Sequence, residues 1–167
     1  MKFKTTFIIA AAILMAACTR NTDLTSPDGD INVSFSLNQD GVPHYQVSAY
    51  GQAVINDSGL GLEAEQAELD KGFAITKVRR GAKDEQWEQP WGENKVMRDN
   101  HREMAVEMEN GQGVKLTLRF KAFDDGIGYR YEYDATAVAD SLTIIGDHTY
   151  FNFAQDGMSW SIGSYFS

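Results

Sequence analysis

Two tryptophans, Trp87 and Trp91, stand among the carboxylates Asp84, Glu85, Glu88 and Glu93 and are followed by Lys95, Arg98 and His101. A sugar site draws on this set: a flat aromatic face stacks on C–H bonds, and carboxylates accept hydrogen bonds from hydroxyls. The same residues have a structural use, in which both tryptophans cap one end of a core and the charges are solvated. Carboxylate pairs occur at Asp84-Glu85 and Asp124-Asp125. A glycosidase needs two carboxyl groups about 5–9.5 Å apart, which sequence adjacency does not establish. Asp-Asp-Gly is first of all turn chemistry. His44, His101 and His148 lie far apart, with no spacing that points to a metal site or a triad. There is no phosphate loop and no nucleophile elbow. Catalysis from these residues alone is unsupported.

The elements that must hold such residues are strands. Ile31, Val33, Phe35 and Leu37 alternate with Asn32, Ser34 and Ser36, a period of two that puts one face in a core and the other in water. Asp40-Gly41 supplies a hairpin turn, after which Tyr45, Val47 and Ala49 repeat the alternation. Met104, Val106 and Met108 alternate with glutamates; Asn110-Gly111 turns the chain; Val114, Leu116, Leu118 and Phe120 alternate with Lys115, Thr117, Arg119 and Lys121. Opposite charges facing across that hairpin favour its pairing. Asp125-Gly126 opens a strand with Ile127, Tyr129, Tyr131 and Tyr133 on one face. Shorter apolar runs follow at 142–145, 149–153 and 158–166. Residues 62–71 are the one stretch with helical character, and 81–102 is the least sheet-like. Many short strands with Asx-Gly turns predict an all-β fold, an antiparallel sandwich or barrel.

The 167 residues carry a net charge of −9 and a single cysteine. An intrachain disulfide framework and every multi-cysteine metal site are thereby excluded. The acidic balance argues against nucleic acid, which needs a basic face. Lys2 and Lys4 precede an apolar run at 7–17 that is too short to span a bilayer and ends at Cys18, the pattern of a signal peptide. The string Leu14-Met15-Ala16-Ala17-Cys18 resembles a bacterial lipoprotein signal, which implies lipidation of the Cys18 thiol and a membrane anchor in the cell envelope. Plain secretory cleavage is the alternative. Removing 1–17 leaves 13 basic against 24 acidic residues, a net of −11. Residues 18–29 then read as a tether and 30–167 as the folded domain.

Several motifs in order carry a family resemblance. They are Leu24-Thr25-Ser26-Pro27-Asp28-Gly29, Leu60-Gly61-Leu62, Trp87-Glu88-Gln89-Pro90-Trp91-Gly92-Glu93, Arg98-Asp99-Asn100-His101-Arg102-Glu103, and the run 122–132 containing Asp124-Asp125-Gly126-Ile127-Gly128-Tyr129-Arg130-Tyr131-Glu132. Together they resemble the N-terminal domain of the family 97 glycoside hydrolases, over nearly the whole mature chain. The resemblance implies a large β-sandwich of the galactose-mutarotase-like kind, packed in the full-length enzyme against a (β/α)8 catalytic barrel. It further implies a calcium-dependent α-glucosidase or α-galactosidase acting on α-linked oligosaccharides or galactosides. The family's catalytic residues lie on the barrel, so no catalytic or metal residue is assigned here. Residues 87–102 are expected to face the barrel or the rim of its sugar site. Trp87, Trp91 and Glu93 are the candidates for packing or sugar contact, and Arg98 for an interdomain ion pair.

On this basis the chain is expected to be the opening portion of a glycosidase, inactive alone. The run 158–166, apolar and still alternating, is expected to continue into further sheet, since an unpaired apolar edge invites association. A stand-alone lipid-anchored carbohydrate-binding module and a purely structural envelope lipoprotein are the competing expectations.

Overall fold

The computed structural model describes residues 21–133, 142–158 and 160, and among them there is no helix. Four strands, β1 (Asp23–Thr25), β2 (Ile31–Leu37), β3 (Pro43–Ala49) and β4 (Gln52–Gly59), form one sheet in chain order. Four more, β7 (Phe73–Glu88), β8 (Val96–Asn110), β9 (Lys115–Phe123) and β10 (Gly126–Tyr133), form the second, again as neighbours in sequence. Between them in the chain, β5 (Leu62–Ala64) and β6 (Glu68–Leu69) pair with each other, and β11 (Ile144–Asp147) adds to the free side of β5. All pairings among these strands are antiparallel.

The alternating residues meet where period two sends them. Val33, Phe35, Tyr45, Val47 and Ile55 from the first sheet bury against Met104, Val106, Met108, Leu116, Leu118, Phe120 and Ala122 from the second. Phe35 and Phe120 lie 5.9 Å apart between ring centroids, and Tyr45 and Tyr129 5.4 Å. Each such side chain withdrawn from water contributes roughly 1.5–3 kcal/mol, so this interface is what makes the two sheets a sandwich. Tyr129 and Tyr131 pack on the core edge, where burial pushes both phenols above their ordinary pKa.

Turns tie the layers together. At the β2–β3 turn the Asn38 side chain accepts hydrogen bonds from the backbone N–H of Asp40 and Val42. Gly41 there has φ +71°, and a Cβ on it would lie 2.5 Å from the Phe73 nitrogen. That close approach lets Gly72 N–H donate to Asp40 and Phe73 N–H to Gly41, fastening one sheet to the start of the other. Asn110 caps the β8–β9 turn in the same manner, accepting from Gln112 and Val114. At the opposite end of the sandwich Asp124 and Asp125 form the β9–β10 turn, as Asp-Asp-Gly predicts, and the Asp124 carboxylate also accepts from Asp28 N–H. Arg80 crosses the same interface to donate to the carbonyls of Asp23 and Asn21.

On the outer face of the second sheet, the register sets Glu103 opposite Lys121 and Glu109 opposite Lys115. The ion pairs close diagonally instead. Arg119 on β9 donates from Nη1 to Glu103 of β8 at 2.8 Å and from Nε and Nη2 to Glu132 of β10 at 2.6 and 3.0 Å. Arg130 also donates to Glu132. One guanidinium thus staples three strands, and Glu132 titrates at about 2, held there by Arg119 first and Arg130 next.

Four expectations change. Residues 62–71 contain β5 and β6 rather than a helix, because Leu62 and Leu69 pair across the two strands and dock on a small satellite core with Ala67 and Val114. Residues 81–88 and 96–102 are sheet after all, as described below. Residues 149–153 form no strand; they follow β4 through an isolated bridge, Ile55 with Phe153, and through the hydrogen bonds of Tyr150 N–H to Gly59 and Asn56 N–H to Asn152. Asp23–Thr25, in the stretch read as tether, forms β1 because Leu24 and Ser26 are buried in the sandwich. Cys18, the signal segment and most of 158–166 lie outside the described residues.

Candidate functional site: a projecting hairpin

Strands β7 and β8 are far longer than their neighbours. Pairing of β8 with β9 stops at Arg102, while pairing with β7 continues to Glu88 and Val96. Residues 82–88 and 96–101 therefore leave the sandwich as a two-stranded arm, roughly 20 Å long at about 3.3 Å per residue. Apart from His101 at its base, the arm has no second layer over either face among the described residues, and so no apolar-inside alternation. Polar residues alternate with polar residues, which is why it does not read as a strand in the sequence.

The register divides its side chains. Ala82, Asp84, Gln86, Glu88, Val96, Arg98 and Asn100 share one face; Lys83, Glu85, Trp87, Met97, Asp99 and His101 share the other. Residues 89–95 close the tip. Gln89 N–H donates to the Lys95 carbonyl and its side-chain amide to that of Asn94. Gly92 sits at φ +113°, and a Cβ there would come within 2.7 Å of the Gln89 amide nitrogen.

Trp87 is 49% exposed, and Trp91 at the tip is 82% exposed. Neither caps the core, so the structural use considered for them does not hold. Arg98 grips Asp84 on its own face with two hydrogen bonds of 2.8 Å. The pair holds the Asp84 carboxyl below, and the Arg98 guanidinium above, their ordinary pKa values. On the opposite face His101 is buried, with Nδ1 at the Asp99 carboxylate and its ring 5.1 Å from that of Phe123. Asp99 is pulled below the usual carboxylate range by His101 and then by Lys83, which also reaches Glu85. Glu93 lies exposed in the tip loop, without a hydrogen bond or ion pair among the described residues.

All four predicted positions therefore fall on one arm but not on one surface: Trp87 and Arg98 point to opposite faces, with Trp91 and Glu93 at the tip. What the arm offers is exposed aromatic area beside carboxylates. Asp84 and Asp99 are held ionised and so are not poised to donate a proton near neutral pH. No group of three metal-ligating side chains occurs among the described residues.

Sequence spacing gives no hint of one further arrangement. His44 and His148, 104 positions apart, line a single cavity of about 470 Å³, because residues 148–152 run back along β4 and the Gly59–Gly61 backbone.

The family model for the glycosyl-hydrolase 97 N-terminal domain matches residues 24–166. A family 97 glycoside hydrolase from Pseudoalteromonas sp. strain K8, solved in complex with panose and with acarbose, is similar at 38% identity and TM-score 0.74; the likeness covers 79% of this chain and 20% of that one. A probable retaining alpha-galactosidase from Streptomyces bingchenggensis is 26% identical over 120 residues, 72% of this chain and 18% of that protein. A β-arabinopyranosidase shares the fold at 22% identity and TM-score 0.72. The chain thus spans about a fifth of the length of these relatives. With the sandwich and the motifs that build its arm and turns, these matches place the chain in the glycosyl-hydrolase 97 N-terminal family.

Proposed function

We propose that this N-terminal domain belongs to a secreted α-glycosidase, an α-glucosidase or α-galactosidase, whose barrel it supports through the projecting arm. The observation that carries this reading is the arm itself. An isolated two-stranded hairpin is marginal in water, yet this one extends beyond the sandwich with Trp91 almost fully exposed at its tip. Docking on the barrel would bury Trp87 and Trp91 near the sugar rim. Arg98 is satisfied within the arm by Asp84, so the interdomain contact falls to the tip residues and Glu93. The calcium implied by the family does not fit the described residues, which offer no ligand cluster; on this proposal it is held by other parts of the full-length enzyme. Cys18 carries the lipid that anchors the protein at the bacterial envelope, periplasmic or at the outer membrane.

The test is hydrolysis of nitrophenyl α-glucoside and α-galactoside, with and without calcium. The full-length protein is expected to turn over one of them and the processed 150-residue chain neither. Clear turnover by the chain alone would overturn the proposal. Mass spectrometry of the mature N-terminus checks the anchor, and an unmodified Cys18 would remove it. The exposed tryptophans also favour a second reading, a carbohydrate-binding module, for which Trp87 and Trp91 fluorescence should saturate with maltooligosaccharides or galactosides; flat titrations count against it.

A further inference from the structure

The cavity of about 470 Å³ beside β4 lies away from the arm and is lined by side chains that no part of the arm reading uses. Its volume falls within the range of about 300–1,000 Å³ usual for small-molecule sites. The polar groups converging on it are of particular kinds. His44 on β3 binds the Asp57 carboxylate through Nδ1 at 2.8 Å, and Asn152 donates to the Asp57 carbonyl. Asp70, also in the lining, has no hydrogen-bond or ion-pair partner among the described residues. His148 lies 3.4 Å from Glu63 at the rim. Over this group stands Tyr150, 56% exposed, its ring against Gly59, where an added Cβ would meet it at 3.4 Å. Its backbone is pinned on both sides: Tyr150 N–H donates to Gly59, and its carbonyl accepts from the Tyr45 hydroxyl.

The chemistry selects the ligand. Asp57, Asp70 and Glu63 disfavour an anion. A metal ion finds no three-ligand set among the described residues. A purely apolar ligand would strand the Asp70 carboxylate. What satisfies carboxylate acceptors, imidazoles and a fixed aromatic face together is a neutral, hydroxyl-rich ring. We propose that this cavity is a carbohydrate subsite for one hexose unit of a neutral oligosaccharide, with Tyr150 as the stacking platform and Asp70 and Asp57 as hydroxyl acceptors. It goes beyond the proposed function and shares with it only the class of ligand.

The processed chain is titrated with maltose and, separately, with melibiose while the imidazole resonances of His44, His148 and His101 are followed by NMR. Saturable shifts at His44 and His148 are expected, with a dissociation constant on the order of 1 mM for so small a contact. His101, buried on the arm, stays unmoved and reports an intact fold. Tyr150→Ala and Asp70→Asn should each weaken binding about tenfold, and Lys115→Ala, on the outer face of the second sheet, should leave it unchanged. Absence of shifts at His44 and His148 with both sugars overturns the proposal, as does binding that both cavity variants leave intact. Sugar-induced tryptophan fluorescence without histidine shifts overturns the cavity site while leaving the arm reading standing. Histidine shifts with no fluorescence change support the cavity site and count against sugar binding on the arm.

Discussion

Replacing Glu132 by glutamine isolates the Arg119 staple. The carboxyl titrates at about 2 in place of its ordinary 4.5, through Arg119 and then Arg130, against the opposing effect of its own burial. At about 1.4 kcal/mol for each tenfold change in proton affinity, that displacement sets a ceiling of about 3 kcal/mol on the stability it contributes. The Glu132 side chain is 29% exposed, and solvent screening brings the expected contribution to about 1–2 kcal/mol. Because the folded-state value is depressed, the contribution is complete above pH 4.5 and lost as the pH falls through 2. Urea unfolding of the wild type and of Glu132→Gln, measured at intervals from pH 7 to pH 2, reads it directly. Other carboxylates titrate in this window too, and the difference between the two proteins cancels them. The wild type should be more stable by about 1–2 kcal/mol at pH 7, and the gap should close below pH 4.5. A gap that stays constant down to pH 2, or none at pH 7, refutes the three-strand staple.

Phe120→Ala removes a fully buried ring packed on Phe35 and should cost about 3–5 kcal/mol in urea unfolding, whereas Trp91→Ala should stay within about 0.5 kcal/mol because its ring touches no core. Gly41→Ala meets both a positive φ and the Phe73 backbone and should lower stability by about 2 kcal/mol or more, with the β2–β3 turn the first region to exchange its amides. Arg98→Met should leave the urea midpoint unchanged while the Asp84 carboxyl, titrated by NMR, rises back toward its ordinary pKa; a pKa that does not move would mean that Arg98 is not its partner.

Strands were legible in the sequence wherever one face meets the core and the other meets water. Val33 and Phe35, Met104 to Met108 and Leu116 to Phe120 all stand in that position, and the Asx-Gly turns between them announce themselves. The arm fails that test for a physical reason: Asp84, Gln86 and Arg98 face solvent on one side and Lys83, Glu85 and Asp99 on the other, so no period survives. Residues 62–71 misled because Glu and Ala favour helix locally, while the pairing of Leu62 with Leu69 is a tertiary matter. Of the candidate site, the four residues proved to share one element, but their division between faces depends on a register fixed from the far end of the hairpin. The cavity was invisible for a different reason. His44 and His148 share it only because a segment without strand character doubles back along β4, and no local pattern encodes that return.

The contacts that seat β1 reach far along the chain: Arg80 holds the carbonyls of Asn21 and Asp23, and Asp124 holds the N–H of Asp28. A polypeptide is made from its N-terminus, so β1 is synthesised first and its fastenings arrive about sixty and a hundred residues later. Pairing with β2 gives it early company, but its place in the sandwich waits on the second sheet, as sequence-distant contacts do. Until then β1 holds only the strand that follows it in sequence, so the first strand made is among the last to be fixed in place.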